Sequence, residues 1–388
     1  MAPLRLPPLA DLDAAPAPPR LAATPTLTPF LKWPGGKTQE LPAVAALAPP
    51  LTGRFVDPFV GGGSVLFAVP AEVPALANDA CRDLVSLYLA TATREPVFRE
   101  AVTALAGAWE QLSGLDALFG ELATAFEAVD LEHAERALTR HLGALSALFE
   151  TAGTGLASGF LERAKRDLPL KFRRMRRVEG DVGRPLSRRD LLANVEGAVR
   201  AALYMAVRAR YNGARVARRW DAVRSADFLF LREFAYAAMF RFNRRNEFNV
   251  PYGGVSYNRK SLASKLDVLF AAPMAERLAA TSFTSRDFEP FLHDACLEPD
   301  DFVFVDPPYD SDFSDYDNLS FGSADQLRLR DALASVPSRV MVVIKDTRFV
   351  RELYADPRWR LRESPKTYMW TIKSRNDRSA THLTITNY

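Results

Sequence analysis

Short apolar runs closed by turn or acidic residues recur toward both ends of the chain, and such runs predict buried strands. Phe55-Val56 leads into Asp57-Pro58-Phe59-Val60 and then Gly61-Gly62-Gly63-Ser64. That pattern predicts a strand, a glycine turn and a helix from Ser64 to Val69. Pro74 to Ala77 predicts a second strand, closed by Asn78-Asp79. Phe302-Val303-Phe304-Val305 predicts another, ending in Asp306-Pro307-Pro308-Tyr309. A helix from Ala324 to Ala334, a strand from Val340 to Ile344 and a closing strand pair at Tyr368–Lys373 and Thr381–Thr386 follow. Strand, glycine turn, helix, strand and acid, in that order, open a doubly wound α/β sheet.

The middle of the chain has a different period. From Asp83 to Phe149 it is rich in Ala, Leu and Glu, with apolar residues at helical spacing, as in Leu131, Ala134, Leu138, Leu142, Leu145 and Leu148. The expected organisation is an α/β domain made of 30–95 and 285–388, interrupted by a helical insertion at 96–284. Residues 1–29 hold eight prolines, which block helix and sheet alike, so a flexible tail is expected there.

Charge changes the picture of the insertion. The 388 residues carry a net charge of only +3. Leu161 to Arg224, however, holds eighteen Lys and Arg against seven acids, and sixteen of those cations are arginine. Arginine presents a planar donor fork suited to phosphate and guanine, so this segment is expected to touch nucleic acid. A solvated helix surface with local ion pairs is the alternative. Cys81, Cys296 and the four histidines show neither disulfide nor metal-ligand spacing. No metal is expected, and a reducing cytoplasm fits. No run of about 18 apolar residues announces a membrane span.

Asp306-Pro307-Pro308-Tyr309 sits where open α/β sheets place their ligands, at the carboxyl end of a strand. An adenine amine is a poor nucleophile because its lone pair is delocalised into the ring. An acceptor for its N–H protons lets the nitrogen move toward tetrahedral geometry. The Asp306 carboxylate can accept one such bond and the Pro307 carbonyl the other, on a turn stiffened by two prolines. Tyr309 offers a face for stacking. The same four residues also describe a plain Pro-Pro turn with a capping Asp. The glycine turn departs from GxGxxG, because Leu66 holds the third glycine position, and this argues against a pyrophosphate-bearing cofactor. Asp79 ends the next strand, where an acid can bind ribose hydroxyls. The combination suits a nucleoside-type donor such as S-adenosylmethionine; a structural strand-to-helix turn is the other reading. Leu31 to Thr38 ends like a P-loop, but Leu31 stands at the required first glycine, so an ATPase is not expected. Its aromatic, its glycines and Lys37 are candidates to wrap the methionine end of the donor.

Lys32-Trp33-Pro34-Gly35-Gly36-Lys37, the turn from Asp57 to Ser64, Asn78-Asp79 and Asp306-Pro307-Pro308-Tyr309 together resemble the Dam-type family of DNA adenine-N6 methyltransferases. Phe248-Asn249-Val250-Pro251-Tyr252-Gly253 is similar to that family's FNVP[FY]G segment, and Phe313, Tyr316, Ser320-Phe321 and Gln326 to its segment after the catalytic turn. The resemblance implies a Rossmann-like methyltransferase sheet with an inserted helical target-recognition domain. It implies S-adenosylmethionine as donor, double-stranded DNA as partner, and direct transfer to adenine N6 after base flipping. Cofactor contacts are implied for Trp33, Lys37, Asp57, Phe59, Gly61, Gly63, Asp79 and Asp306. Catalysis falls to Asp306, Pro307 and Tyr309, and DNA contact to Lys32, Tyr236 and Arg241. A monomer is expected, solitary or paired with a cognate restriction endonuclease. Where the family carries Asn-Gly after the recognition aromatic, this chain has Ala237-Ala238, and Ala90 to Phe234 is longer than in compact members. No target sequence is therefore implied. Cytosine-N4 methylation, RNA adenine methylation and a silent DNA-binding module are the competing readings. Cytosine-C5 chemistry needs a cysteine after proline, and both cysteines here follow alanine.

Overall fold

Large apolar residues at successive positions give the central strands two buried faces. Phe55, Phe302, Phe304, Met341 and Val343 point into one core layer, and Val56, Val303, Val305, Val342 and Ile344 into the other. The computed structural model describes residues 17–33, 35–143, 156–308, 321–367 and 379–388. Its strands are β1 (Phe55–Asp57), β2 (Ala75–Asn78), β3 (Thr281–Thr284), β4 (Phe302–Val305), β5 (Arg339–Lys345), β6 (Arg360–Thr367) and β7 (Ser379–Thr386). They form one sheet in the order β3-β2-β1-β4-β5-β7-β6. The first five pair in parallel, while β7 runs antiparallel to both neighbours. The order reverses between β1 and β4, so the carboxyl ends of these two strands flank the switch point at which such sheets bind ligands.

β4 matches the predicted strand, and β5 and the helix Ser323–Ser335 exceed their predictions by one residue at each end. Three expectations need correction. Of Ser64–Val69 only Leu66–Ala68 winds, as a single 3₁₀ turn. Pro70 follows and holds Val69 in extended backbone, φ −77° and ψ 129°. β3 belongs to the sheet although it lies within 96–284. β6 at 360–367 pairs with β7, and the expected strand Tyr368–Lys373 lies outside the described residues. Part of the predicted tail is docked: Leu21 is buried, and the N–H groups of Ala22 and Thr26 donate to the carbonyls of Ala68 and Phe67, both at 3.0 Å. Prolines forbid regular structure, yet the residues between them keep their N–H groups and pair with loop carbonyls.

The helical layer runs through Arg82–Ala92, Pro96–Gln111, Asp116–Ala128, Leu131–Gly143, Leu156–Val182, Arg188–Val216 and Ala222–Phe234. One core cluster joins it to the sheet, taking in Phe302, Tyr88, Trp109, Leu203 and Phe228. A buried polar knot fastens the same junction. The Asp83 carboxylate accepts from Arg224 Nε at 2.6 Å, Arg224 Nη2 at 2.9 Å, Arg215 Nη1 at 2.9 Å and the Tyr211 hydroxyl at 2.8 Å. Arg210 clamps the buried Asp227 at 3.0 and 2.5 Å, and Arg200 pairs with Glu196 at 2.7 Å while donating to the Trp109 carbonyl. Arg200, Arg210, Arg215 and Arg224, from the run that reads in sequence as a nucleic-acid surface, are thus spent within the protein. No helix among the described residues is long and apolar enough to cross a membrane.

Candidate active site

Three chain segments converge at the carboxyl ends of β1 and β4. β1 ends in the buried Asp57, whose Oδ1 accepts from the Phe59 N–H at 3.0 Å and so tightens the turn into the glycines. β2 delivers Asp79, whose two oxygens accept from the N–H of Gly61 at 3.0 Å and of Cys81 at 2.8 Å. That carboxylate splints the glycine turn to the start of the next helix. β4 delivers Asp306, which is partly exposed and meets the buried Lys37 Nζ at 2.5 Å. Lys37 also donates to the Gly35 carbonyl at 3.1 Å, which curls its own loop around the ammonium. The two segments that supply this ion pair lie 269 residues apart in the chain.

The carboxylates shape one another. Burial raises the Asp57 carboxyl well above its ordinary range; the Phe59 N–H opposes this, and the nearby charges of Asp306 and Asp79 add to the rise. The cluster therefore combines a neutral-leaning buried acid with an ion-paired, partly exposed one.

The glycines accommodate the protein's own side chains. A Cβ on Gly61 would stand 2.8 Å from Trp33 Cδ1, and one on Gly62 2.8 Å from Trp33 Cβ. Gly63, at φ +74°, is roofed by Phe67 and the Tyr88 hydroxyl. Tyr88 donates to the Gly61 carbonyl at 2.8 Å. The triple glycine thus lets Trp33 and Tyr88 close on the turn. Phe59 packs against Phe288 and Phe321, with ring centroids 5.5 and 5.7 Å away. The buried Gln326 donates Nε2 to the Pro308 carbonyl at 3.1 Å and so pins the Pro-Pro turn. Tyr309, Phe313, Tyr316 and Ser320 lie outside the described residues.

A hairpin-like loop borders this site. Tyr236 is 56% exposed, and its turn carries left-handed backbone at both Ala237 (φ 53°) and Ala238 (φ 52°). This is the mirror-image turn that Asn-Gly favours, kept here with two alanines. The Met239 N–H closes it onto the Tyr236 carbonyl at 3.0 Å. Left-handed alanine is strained, so Ala238→Gly is expected to stabilise the fold by about 0.5–1 kcal/mol. A urea midpoint unchanged or lowered in that variant would contradict the strain. Arg241 is exposed and donates to Asn249 Oδ1 at 3.2 Å, and Arg244 and Arg245 are exposed at the neighbouring loop tip.

Sequence reasoning missed Arg232. It is buried, donates to the Lys32 carbonyl at 2.5 Å, and lies 5.1 Å from the Trp33 ring and 5.0 Å from that of Phe240. It bolts the lysine–tryptophan segment to the helix that runs into Tyr236. No local motif signals it, since its partners lie 200 residues away. Its neighbour Glu233 draws Lys32, Lys260 and Lys265 together at 3.9, 3.5 and 3.3 Å, and Lys32 stays exposed.

The comparisons with known proteins agree with this arrangement. A family model described as D12 class N6 adenine-specific DNA methyltransferase matches residues 33–142 and 189–369. The type II methyltransferase M1.LlaDCHI of Lactococcus lactis subsp. cremoris is 23% identical over 370 residues, 93% of this chain and 96% of that protein. The type II methyltransferase M.CviBI of Paramecium bursaria Chlorella virus NC1A is 31% identical over 165 residues, 42% of this chain and 60% of that protein. A DNA adenine methylase of Haemophilus influenzae is 31% identical over 140 residues, 34% of this chain and 46% of that protein. With the family model matched over most of its length and on both sides of the switch point, the chain belongs to the D12 class of N6 adenine-specific DNA methyltransferases.

Proposed function

We propose that this chain transfers a methyl group from S-adenosylmethionine to adenine N6 in duplex DNA, with Asp306 as the acceptor that readies the amine. The observation that carries the reading is the Lys37–Asp306 pair at 2.5 Å beside the glycine turn, at the sheet's switch point. The donor set suits the methyl donor. Asp79 is an acceptor-only group held by two backbone N–H groups, the chemistry that receives ribose hydroxyls. Lys37 is a cation of the kind that holds an amino-acid carboxylate. Trp33, against the glycine turn, and Phe59 supply aromatic surface. The donor contributes an electrophilic sulfonium methyl, and the protein's task is to present the amine to it.

That task is electrostatic and geometric. An adenine swung out of the duplex brings its amine to Asp306 and to the Pro307 carbonyl. Two hydrogen bonds from N6 to these acceptors draw density toward nitrogen as the C–N bond loses double-bond character. Lys37 keeps the Asp306 carboxylate anchored, and Gln326 keeps the Pro-Pro turn in register. Neither a covalent enzyme intermediate nor a metal ion is required. Tyr236, Arg241 and Lys32 are proposed to meet the DNA. Incubating the protein with labelled S-adenosylmethionine and duplex DNA or RNA, then digesting to nucleosides, tests the reading. N6-methyldeoxyadenosine is expected. N4-methyldeoxycytidine, label confined to RNA, or no transfer at all would replace it.

A further inference from the structure

Resting on the reading of this chain as a duplex-DNA enzyme, we infer that the helix Leu156–Val182 is a phosphate rail that grips DNA flanking the target site. The family match stops at 142 and resumes at 189, so this helix lies outside the residues the family model matches. It is also where the unspent cations lie. Arg210, Arg215 and Arg224 are consumed by buried carboxylates, and Arg200 by the half-buried Glu196. Arg173, Arg174, Arg177, Arg184 and Arg189 are exposed and form no ion pair with a described residue.

Helix geometry arrays them. Arg166, which also meets Asp167 at 3.0 Å, Arg173 and Arg177 are separated by two turns, with Pro169 between, and then one, which puts them on one face over about 16 Å, roughly five base-pair steps. Arg174 stands beside them and crowds the half-buried Lys171, whose ammonium is disfavoured by burial and then by the Arg174 charge. Such crowding of like charge without a counter-charge is what an anionic ligand relieves. The opposite face, with Phe160, Ala164, Leu168, Phe172 and Met175, is buried, so the array is rigid. The rail also starts in the right place. Asp167 stands close enough to Arg208 to bear on its charge, and Arg208 Nη1 donates at 3.0 Å to the Val250 carbonyl, at the base of the Tyr236–Arg241 loop. Nine residues on from Asp167, Arg176 is anchored at 2.7 Å to the Phe126 carbonyl, on another helix. The cationic face therefore leads from the recognition loop outward.

The test compares wild type with R173Q/R174Q/R177Q and R173K/R174K/R177K on short (about 12 bp) and long (about 30 bp) duplexes carrying the methylated site found by mapping. None of the three arginines has an ion-pair partner among the described residues, so the fold is expected to persist, as a melting curve will check. On the long duplex the Gln variant is expected to bind at least tenfold more weakly, with its salt slope reduced by about 2–3. On the short duplex its affinity and its single-turnover rate are expected to match wild type, and the Lys variant is expected to bind both like wild type. Unchanged long-duplex affinity, or equal losses on both lengths, would overturn the rail while leaving the enzyme reading intact. A wild type that methylates no DNA would overturn the reading beneath it.

Discussion

Asp306→Ala is expected to lower single-turnover methyl transfer about 10³-fold while duplex affinity stays within a few-fold. The reason is the chemistry of an aryl amine. Its lone pair is shared with the purine ring, and attack on a methyl group requires that sharing to be broken. Hydrogen bonds from N6 to a carboxylate strengthen as positive charge develops on nitrogen, so their benefit falls in the transition state and appears in kcat. The position of the side chain favours this role: it is partly exposed, at the carboxyl end of β4, and tied to Lys37 at 2.5 Å. Removal also deprives the buried Lys37 of its carboxylate, so part of the loss will appear as weaker donor binding. Asp306→Asn separates the two effects, since an amide oxygen still accepts one bond without the charge. It is expected to keep the fold and to fall between wild type and Ala in rate. Anisotropy with labelled duplex and a labelled-donor transfer assay measure both quantities. An Ala variant with a wild-type rate would remove Asp306 from the chemistry.

What could be read from the sequence divides along physical lines. β4 was legible because four consecutive apolar residues end at a Pro-Pro turn, and both faces of a central parallel strand are buried. β3 was not, since Thr281-Ser282-Phe283-Thr284 is an edge strand with one large apolar residue and only its first position buried. The motifs of the candidate site were legible as separate pieces, but their meeting was not. Lys37 reaches Asp306 across 269 residues, and only a three-dimensional arrangement says that the loop lysine faces the strand-end acid. The glycine turn was legible as a turn, while its close neighbours were not: Trp33 was singled out only for the donor, and Tyr88 lies within a helix that carries no turn signal. The arginine run was legible only as charge, for a related reason. An arginine that serves a buried carboxylate 132 or 141 residues away looks in sequence like one that serves a phosphate.

That distinction sets the second large effect: Asp83→Ala is expected to destabilise the fold by roughly 3–5 kcal/mol. Asp83 opens the helix that follows the cofactor-side strand β2, and its carboxylate serves Arg224, Arg215 and Tyr211 from two helices of the insertion. Arg224 is as buried as Asp83 itself and is stacked on Trp220, its guanidinium 3.7 Å from the ring centroid. Without the carboxylate, buried guanidinium charge is left uncompensated and cannot reach water without opening the junction. Asp83→Asn keeps the volume and the Tyr211 bond but loses the charge, so an intermediate loss is expected. The form of the urea transition matters as much as its midpoint. The core cluster runs without a break from Phe302 in the sheet through Tyr88 to Leu203 and Phe228 in the insertion. If that continuity governs folding, the variant will unfold in a single transition shifted to lower urea, with donor binding and duplex binding lost together. Two separated transitions, with the sheet still holding the donor after the helices have melted, would show instead that the insertion folds as a unit of its own and that the Asp83 knot merely moors it.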